Sequence, residues 1–205
     1  MRINIQTVPC GAYQANAYLV WREGRDDCAL IDPGDDLERL EGAIGDKRLG
    51  AILLTHGHFD HILAAQPLAK ATGAAAYIHP ADAEMLSDMD KSAYNASICR
   101  LPPPKGLVAK PLGEALSACG LDFTVLHTPG HSKGSVCLYL ADEGVLFSGD
   151  TLFEAGYGRM DLYGGDSRQM LDSLKKLFAL PGELRVYPGH GGPTTIARER
   201  DRYIL

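Results

Sequence analysis

The sequence predicts an α/β (α+β) fold in which sheets are covered on their outer faces by helices. Three observations point there. Strand-like runs in the first half alternate with helical patterns, further runs follow, and a well-marked helical pattern returns near the end. At 205 residues and 45% apolar content the chain can bury a sizeable core, and its length fits one domain over residues 1–205 better than two. No internal repeat is evident.

In chain order, β-branched or apolar runs bounded mostly by turn residues predict strands at Ile3 to Val8, Ala17 to Trp21 and Cys28 to Ile31. A helix at Leu37 to Ile44 and a strand at Ala51 to Thr55 follow. Ile62, Leu63, Leu68 and Ala69 then predict a helix over His61 to Thr72, closed by Gly73. A strand at Ala75 to Ile78 and a helix at Ala81 to Asp88 come next. Between Asp90 and Gly113 periodicity disappears and Pro102-Pro103-Pro104 stiffens the chain, so a loop or lid is expected there. Strands return at Phe123 to His127, Val136 to Leu140, Val145 to Ser148 and Arg185 to Tyr187. Within the last gap, Asp166 and Gln169 have capping-box spacing before a helix over Ser167 to Phe178, where Met170, Leu171, Leu174, Leu177 and Phe178 form an apolar stripe.

The formal net charge is −6 and no block of Lys or Arg occurs, which weighs against nucleic acid or an anionic membrane as partner. Small substrates are expected, and the oligomeric state is left open. The stretch Met1 to Gln6 has no long apolar segment and no 18 consecutive apolar residues occur anywhere, so a cytoplasmic location is expected. Five cysteines, Cys10, Cys28, Cys99, Cys119 and Cys137, are scattered without a C-x-x-C pair, which argues against disulfides and thiolate zinc sites. Cys10, Cys119 and Cys137 read as small buried hydrophobes.

The most informative stretch is Thr55-His56-Gly57-His58-Phe59-Asp60-His61, four potential metal ligands directly after the apolar run Ala51 to Leu54. A strand ending at Thr55 delivers His56 and His58 to the same side, because side chains two apart on extended backbone point alike. A helix starting near Asp60 puts that carboxylate and His61 on its first turn, facing a second position. The spacing therefore suggests two metals. Three later segments each follow a predicted strand: Thr128-Pro129-Gly130-His131-Ser132, Ser148-Gly149-Asp150-Thr151 and Pro188-Gly189-His190-Gly191-Gly192. Gly-bearing loops at strand ends are where a scaffold presents functional groups. His79 and His127 read as structural.

The order H-x-H-x-D-H, then His131, Asp150 and His190 on separate loops, resembles the metallo-β-lactamase superfamily over the whole chain. That resemblance implies a four-layer αββα sandwich with the metals at one edge. It also implies that His56, His58 and His131 ligate a first metal, that Asp60, His61 and His190 ligate a second, and that Asp150 bridges them. Two divalent ions are implied, with zinc the first choice and iron or manganese compatible with a sulfur-free donor set. A metal-bridging hydroxide, with Asp60 and Asp150 as its catalytic carboxylates, would attack a carbonyl polarised by one ion. Asp32-Pro33-Gly34 resembles a family loop beneath the metals in which Asp32 holds a ligand histidine, with a plain turn as the other reading.

Gly149-Asp150-Thr151-Leu152-Phe153, followed by Gly156-Tyr157-Gly158-Arg159 and Asp161 to Asp166, is similar to the hydroxyacylglutathione hydrolase (glyoxalase II) branch. The resemblance implies a thioester hydrolase acting on a small anionic thioester or ester, with Arg159 binding a carboxylate and Tyr157 or Tyr163 assisting. Arg159 could equally be a salt-bridged surface residue. That branch carries a helical C-terminal domain, whereas this chain stops 15 residues past His190, so glutathione recognition without it stays open. The alternatives are a mononuclear-iron persulfide dioxygenase using His56, His131 and Asp150, a lactonase or a β-lactamase.

Overall fold

The computed structural model describes residues 2–203. Met1, at the head of the N-terminal stretch read above, and Ile204 and Leu205, within the expected 1–205 span, lie outside the described residues. Strands β1 (Ile3–Cys10), β2 (Ala15–Arg22), β3 (Asp27–Ile31), β4 (Arg48–Leu53), β5 (Ala75–Ile78) and β6 (Ala109–Pro111) form one sheet in sequence order. The first three are antiparallel, and β3 through β6 run parallel. A second sheet has the order β14 (Thr194–Thr195), β13 (Arg185–Pro188), β10 (Val145–Gly149), β9 (Val136–Leu140), β8 (Leu121–His127) and β7 (Ala115–Ala118). A small hairpin pairs β11 (Leu152–Phe153) with β12 (Gly156–Tyr157).

Side-chain alternation explains why the two sheets stack. Ala17, Leu19, Cys28, Leu30 and Ile52 face outward into a core with α1 (Leu37–Ile44) and α3 (Ala65–Thr72). Their neighbours Tyr18, Val20, Ala29, Ile31 and Leu53 face inward against Phe123, Val136, Leu138 and Phe147 of the second sheet. A strand buried on both faces must be apolar at nearly every position, as β3 is. On the far side, Cys137, Leu146 and Val186 pack against Met170, Leu174 and Leu177 of α4 (Ser167–Phe178) and Ile196 of α5 (Ile196–Arg200). Three apolar interfaces between four layers are the expected αββα sandwich.

The expected helix over His61 to Thr72 is two pieces, α2 (Phe59–Ile62) and α3. Pro67 explains the break: in one continuous helix its ring would meet the carbonyl of Leu63 and its missing N–H would leave a gap. Restarting at Ala65 places Pro67 in a first turn, where backbone N–H groups have no intrahelical partner in any case. Ala64 N–H donates instead to the Gly34 carbonyl at 2.6 Å. The expected helix at Ala81 to Asp88 is a 3-10 helix over Pro80–Leu86, entered through Pro80. The loop over 90–113 is anchored at several points, not freely hinged. Asp35 accepts from the backbone N–H groups of Arg100 and Leu101, Ser92 accepts from Phe59 N–H, and β6 joins the sheet edge. Among the described residues no helix is long and apolar enough to cross a membrane, and all five cysteines are free.

Candidate metal centre

The C-terminal ends of β4, β8, β10 and β13 meet at one edge of the sandwich. Beyond β4 the chain runs through Thr55, His56, Gly57 and His58 into α2, which carries Asp60 and His61. His131 follows β8, Asp150 follows β10 and His190 follows β13. The two sheets are tied together here, since Val136 N–H donates to Thr55 O at 2.9 Å and Asn16 N–H to Gly189 O at 2.7 Å. Close approach depends on Gly189, where any Cβ would strike Asp150 Oδ1 and His61 Cε1.

All seven side chains expected from the sequence converge. The ring of His56 lies 4.9, 4.3 and 4.8 Å from those of His58, His61 and His131, and the His61 and His190 rings are 5.3 Å apart. Ligand atoms of His56, His58 and His131 fall within 4.8 Å of one another, and so do those of Asp60, His61 and His190. Asp150 lies between the groups. Its Oδ1 is 3.4 Å from His61 Nε2, while its Oδ2 is 3.4 Å from His131 Nε2 and 3.6 Å from His190 Nε2.

Partners behind the rings assign the tautomers. His131 Nδ1–H donates to Arg159 O at 2.7 Å, and His190 Nδ1–H to Tyr13 O at 3.2 Å. His61 Nδ1–H donates to Asp32 Oδ2 at 3.1 Å. Thr55 Oγ1 donates to the same carboxylate, which leaves it to accept from His56 Nδ1–H at 3.0 Å. These four imidazoles therefore turn Nε2 inward. His58 differs, with Nδ1 2.7 Å from His131 Nε2. The nitrogens His56 Nε2, His58 Nε2 and His61 Nε2 and the oxygen Asp150 Oδ1 are buried with no hydrogen-bond partner. Buried polar atoms left without partners in a cluster of imidazoles and carboxylates are unfavourable unless a cation joins them. The donor set fits divalent ions, and it contains no sulfur.

Electrostatics in the protein alone divide the rings. Burial, reinforced by the neighbouring imidazoles, holds His56 well below its usual pKa and His58 down to about 3. Burial also opposes a charge on His61, but Asp150, Asp60 and Asp32 outweigh it and raise that pKa to about 10. Asp60 stays below the ordinary carboxylate range despite burial because His61 and His190 face it. Asp32 also lies within reach of His56 and His61. Its two oxygens are nevertheless occupied by Thr55 N–H, Thr55 Oγ1–H and His61 Nδ1–H, so it orients His61. It adopts φ of +50°, in the left-handed region.

The centre floors a cleft of about 520 Å³ lined by Tyr13, Phe59, Asn95, Phe153, Arg159 and Leu162 among others. Arg159 reaches this cleft, yet its guanidinium is also paired with Asp161 at 2.7 and 2.6 Å on an exposed edge. Tyr157 and Tyr163 do not line it. Tyr157 packs against Tyr203, and Tyr163 donates to Glu84 Oε1 at 2.6 Å beneath Lys91 and Lys133. Tyr13, which sequence reasoning missed, is the tyrosine in the cleft. It sits in the β1–β2 turn 177 residues from the histidine it contacts, and no local pattern marks it. His79 and His127, read as structural, stack on each other with ring centroids 4.2 Å apart.

Residues 10–190 match the metallo-beta-lactamase superfamily, and the chain belongs to that family. It is similar to the hydroxyacylglutathione hydrolase GloC of Haemophilus influenzae, 33% identical over 205 residues that span 97% of this chain and 95% of that one. Among solved structures it resembles TTHA1623 in a di-iron-bound form, with a TM-score of 0.85 and 42% identity over 95% of this chain and 96% of that one. The BLEG-1 B3 metallo-beta-lactamase superposes with a TM-score of 0.84 at 36% identity, covering 97% of each chain.

Proposed function

We propose that this chain is a binuclear metallohydrolase that cleaves small anionic thioesters of the hydroxyacylglutathione kind, or a related small carbonyl ester. The carrying observation is the convergence of five imidazoles and two carboxylates, with buried atoms of His56, His58, His61 and Asp150 left without a hydrogen-bond partner. His56, His58 and His131 would hold one ion and Asp60, His61 and His190 the other, with the Asp150 carboxylate within reach of both groups. Zinc, iron and manganese all suit these donors, and a related protein of 42% identity was solved with two irons. When bound, such ions lower the pKa of water from 15.7 to about 7 and polarise a carbonyl, so the chain need not supply a serine or cysteine nucleophile.

The residues themselves bind and orient. Asp32, Thr55, Tyr13 and Arg159 hold the imidazoles through Nδ1, so the donor cage is formed before substrate arrives. Phe59, Phe153, Leu162 and Tyr13 provide apolar walls, while the Arg159 guanidinium at the cleft edge attracts a substrate carboxylate. Similarity to the Haemophilus influenzae hydroxyacylglutathione hydrolase over 95% of its length supports hydroxyacylglutathione as the reference substrate. Five free thiols suit a reducing, cytoplasmic setting.

The test is turnover by the purified chain loaded with zinc, iron or manganese in turn, on S-lactoylglutathione, a lactone, a β-lactam and a persulfide. Two ions per chain with preferential thioester cleavage support the reading. One iron per chain with oxygen uptake on the persulfide would overturn it.

A further inference from the structure

Asp82 is a buried carboxylate outside the seven-residue centre, only 1% exposed, on the 3-10 helix behind the metal-binding edge. Its Oδ2 accepts from Gly57 N–H at 3.1 Å and from Ser132 Oγ–H at 2.6 Å, while its Oδ1 accepts from Gly134 N–H at 2.6 Å. Ser132 also contacts Ser135 Oγ at 2.7 Å, so the hydroxyls form a short chain ending on this carboxylate. No cation pairs with Asp82 among the contacts of the described residues.

The positions of those donors matter more than their number. Gly57 is the residue between His56 and His58, and Ser132 is the residue after His131. One carboxylate thus holds both sides of the three-histidine group: the Gly57 backbone, 25 residues away, on one side, and the Ser132 hydroxyl and Gly134 backbone, 50 and 52 residues away, on the other. The first grip lies on the loop leaving the first sheet, the second on a loop of the second sheet. The packing leaves no slack, since a Cβ on Gly134 would come within 2.7 Å of Asp82 N and 2.8 Å of its Cγ and Oδ1.

Resting on the binuclear reading above, we infer that Asp82 is the positioning residue of the first metal: it sets the spacing of His56 and His58 against His131 by clamping their two loops to one carboxylate. It touches neither metal nor substrate. Charge-assisted bonds from backbone N–H groups are stronger than neutral ones, and a buried carboxylate with three donors resists sliding of either loop. The second group, Asp60, His61 and His190, has no bond to Asp82 and is supported instead by Asp32 and the Tyr13 carbonyl.

The experiment titrates Zn2+ into metal-free wild type, Asp82→Asn, Ser132→Ala and Asp27→Asn, following stoichiometry and stepwise affinity calorimetrically, with Tm recorded for each. Asp27 is a buried carboxylate paired with Arg25 and Arg48 at the opposite end of β3, so it controls for stability loss alone. An asparagine amide presents donors to one side of the clamp, so Asp82→Asn is expected to weaken one of the two binding steps by about 10–100-fold, the range for removing an outer hydrogen-bond partner. The other step should stay unchanged, with the KM of the zinc-loaded variant near wild type and kcat reduced. Ser132→Ala, which removes one donor and keeps the fold, should shift the same step less. Asp27→Asn should lower Tm without moving either step. Equal weakening of both steps, or none in Asp82→Asn and Ser132→Ala alike, overturns the inference. Wild type that binds fewer than two ions instead overturns the binuclear reading, so the two failures are distinguishable.

Discussion

At the scale of single residues, the first question is which side chains would bear the proposed metals and which only orient those side chains. His58 is the sharpest case, because its Nδ1 faces His131 Nε2 at 2.7 Å while its Nε2 has no partner. His58→Ala deletes a donor and leaves the His131 lone pair facing empty space. We predict loss of most bound metal and most hydrolysis, exceeding the roughly 10–100-fold effect of losing an outer hydrogen-bond partner. Elemental analysis with thioester turnover checks this, and full metal content in the variant would refute it. Arg159 makes a different kind of contribution. Its guanidinium is exposed and shared with Asp161, so its removal should barely affect folding. Arg159→Ala is predicted to raise KM several-fold for anionic thioesters and to leave kcat and the KM of neutral thioesters unchanged. Equal KM changes for charged and neutral substrates would count against that role.

At the scale of elements, α4 and the His131 loop are coupled through one cap. Asp166 Oδ1 accepts from Arg168 and Gln169 N–H at 2.9 Å each, and Asp166 N–H donates to Gly130 O at 2.9 Å. The capping-box spacing was legible in the sequence, but the return bond from Gln169 is replaced by this tie to Gly130. Asp166→Ala should cost about 1 kcal/mol, a Tm decrease of roughly 2–4 °C for a chain of this size. Thermal unfolding monitored by circular dichroism measures it. The helical stripe was also legible, except that Leu171 is 38% exposed beside Tyr157 while Met170, Leu174 and Leu177 are buried. The interruption at Pro67 was legible in principle, since proline breaks a helix wherever it stands outside the first turn.

For the molecule as a whole, metal and fold should be linked, because the centre draws on both sheets and on strand ends far apart in sequence. Ligation that exists only in the folded chain stabilises it by RT ln(1 + [L]/Kd), about 4.1 kcal/mol at a free-ion concentration of 1,000 Kd. Chelation should therefore lower Tm, and zinc should restore it. The pH dependence follows from His61, whose pKa in the metal-free protein is raised from 6.5 to about 10. A raised pKa stabilises the metal-free fold fully below 6.5, and that contribution is lost as pH rises through 10. Metal competes for the same lone pair, so zinc binding at neutral pH should release a proton and tighten as pH rises toward 10. Calorimetry in two buffers of different ionisation enthalpy measures the proton count; no release at pH 7 would contradict it.

The sequence by itself determined which seven side chains converge and in what order, the strand ends that carry them and most strand and helix positions, because apolar period and short-range spacing are local properties. Only the tertiary structure decided which carbonyl orients His131 and His190, that Tyr13 and not Tyr157 or Tyr163 enters the cleft, and that Asp82 joins two loops. Those contacts cross from one sheet to the other or span 28 to 177 residues. Local periodicity does not encode such pairings, because they depend on how the two sheets stack and which loops meet at their shared edge.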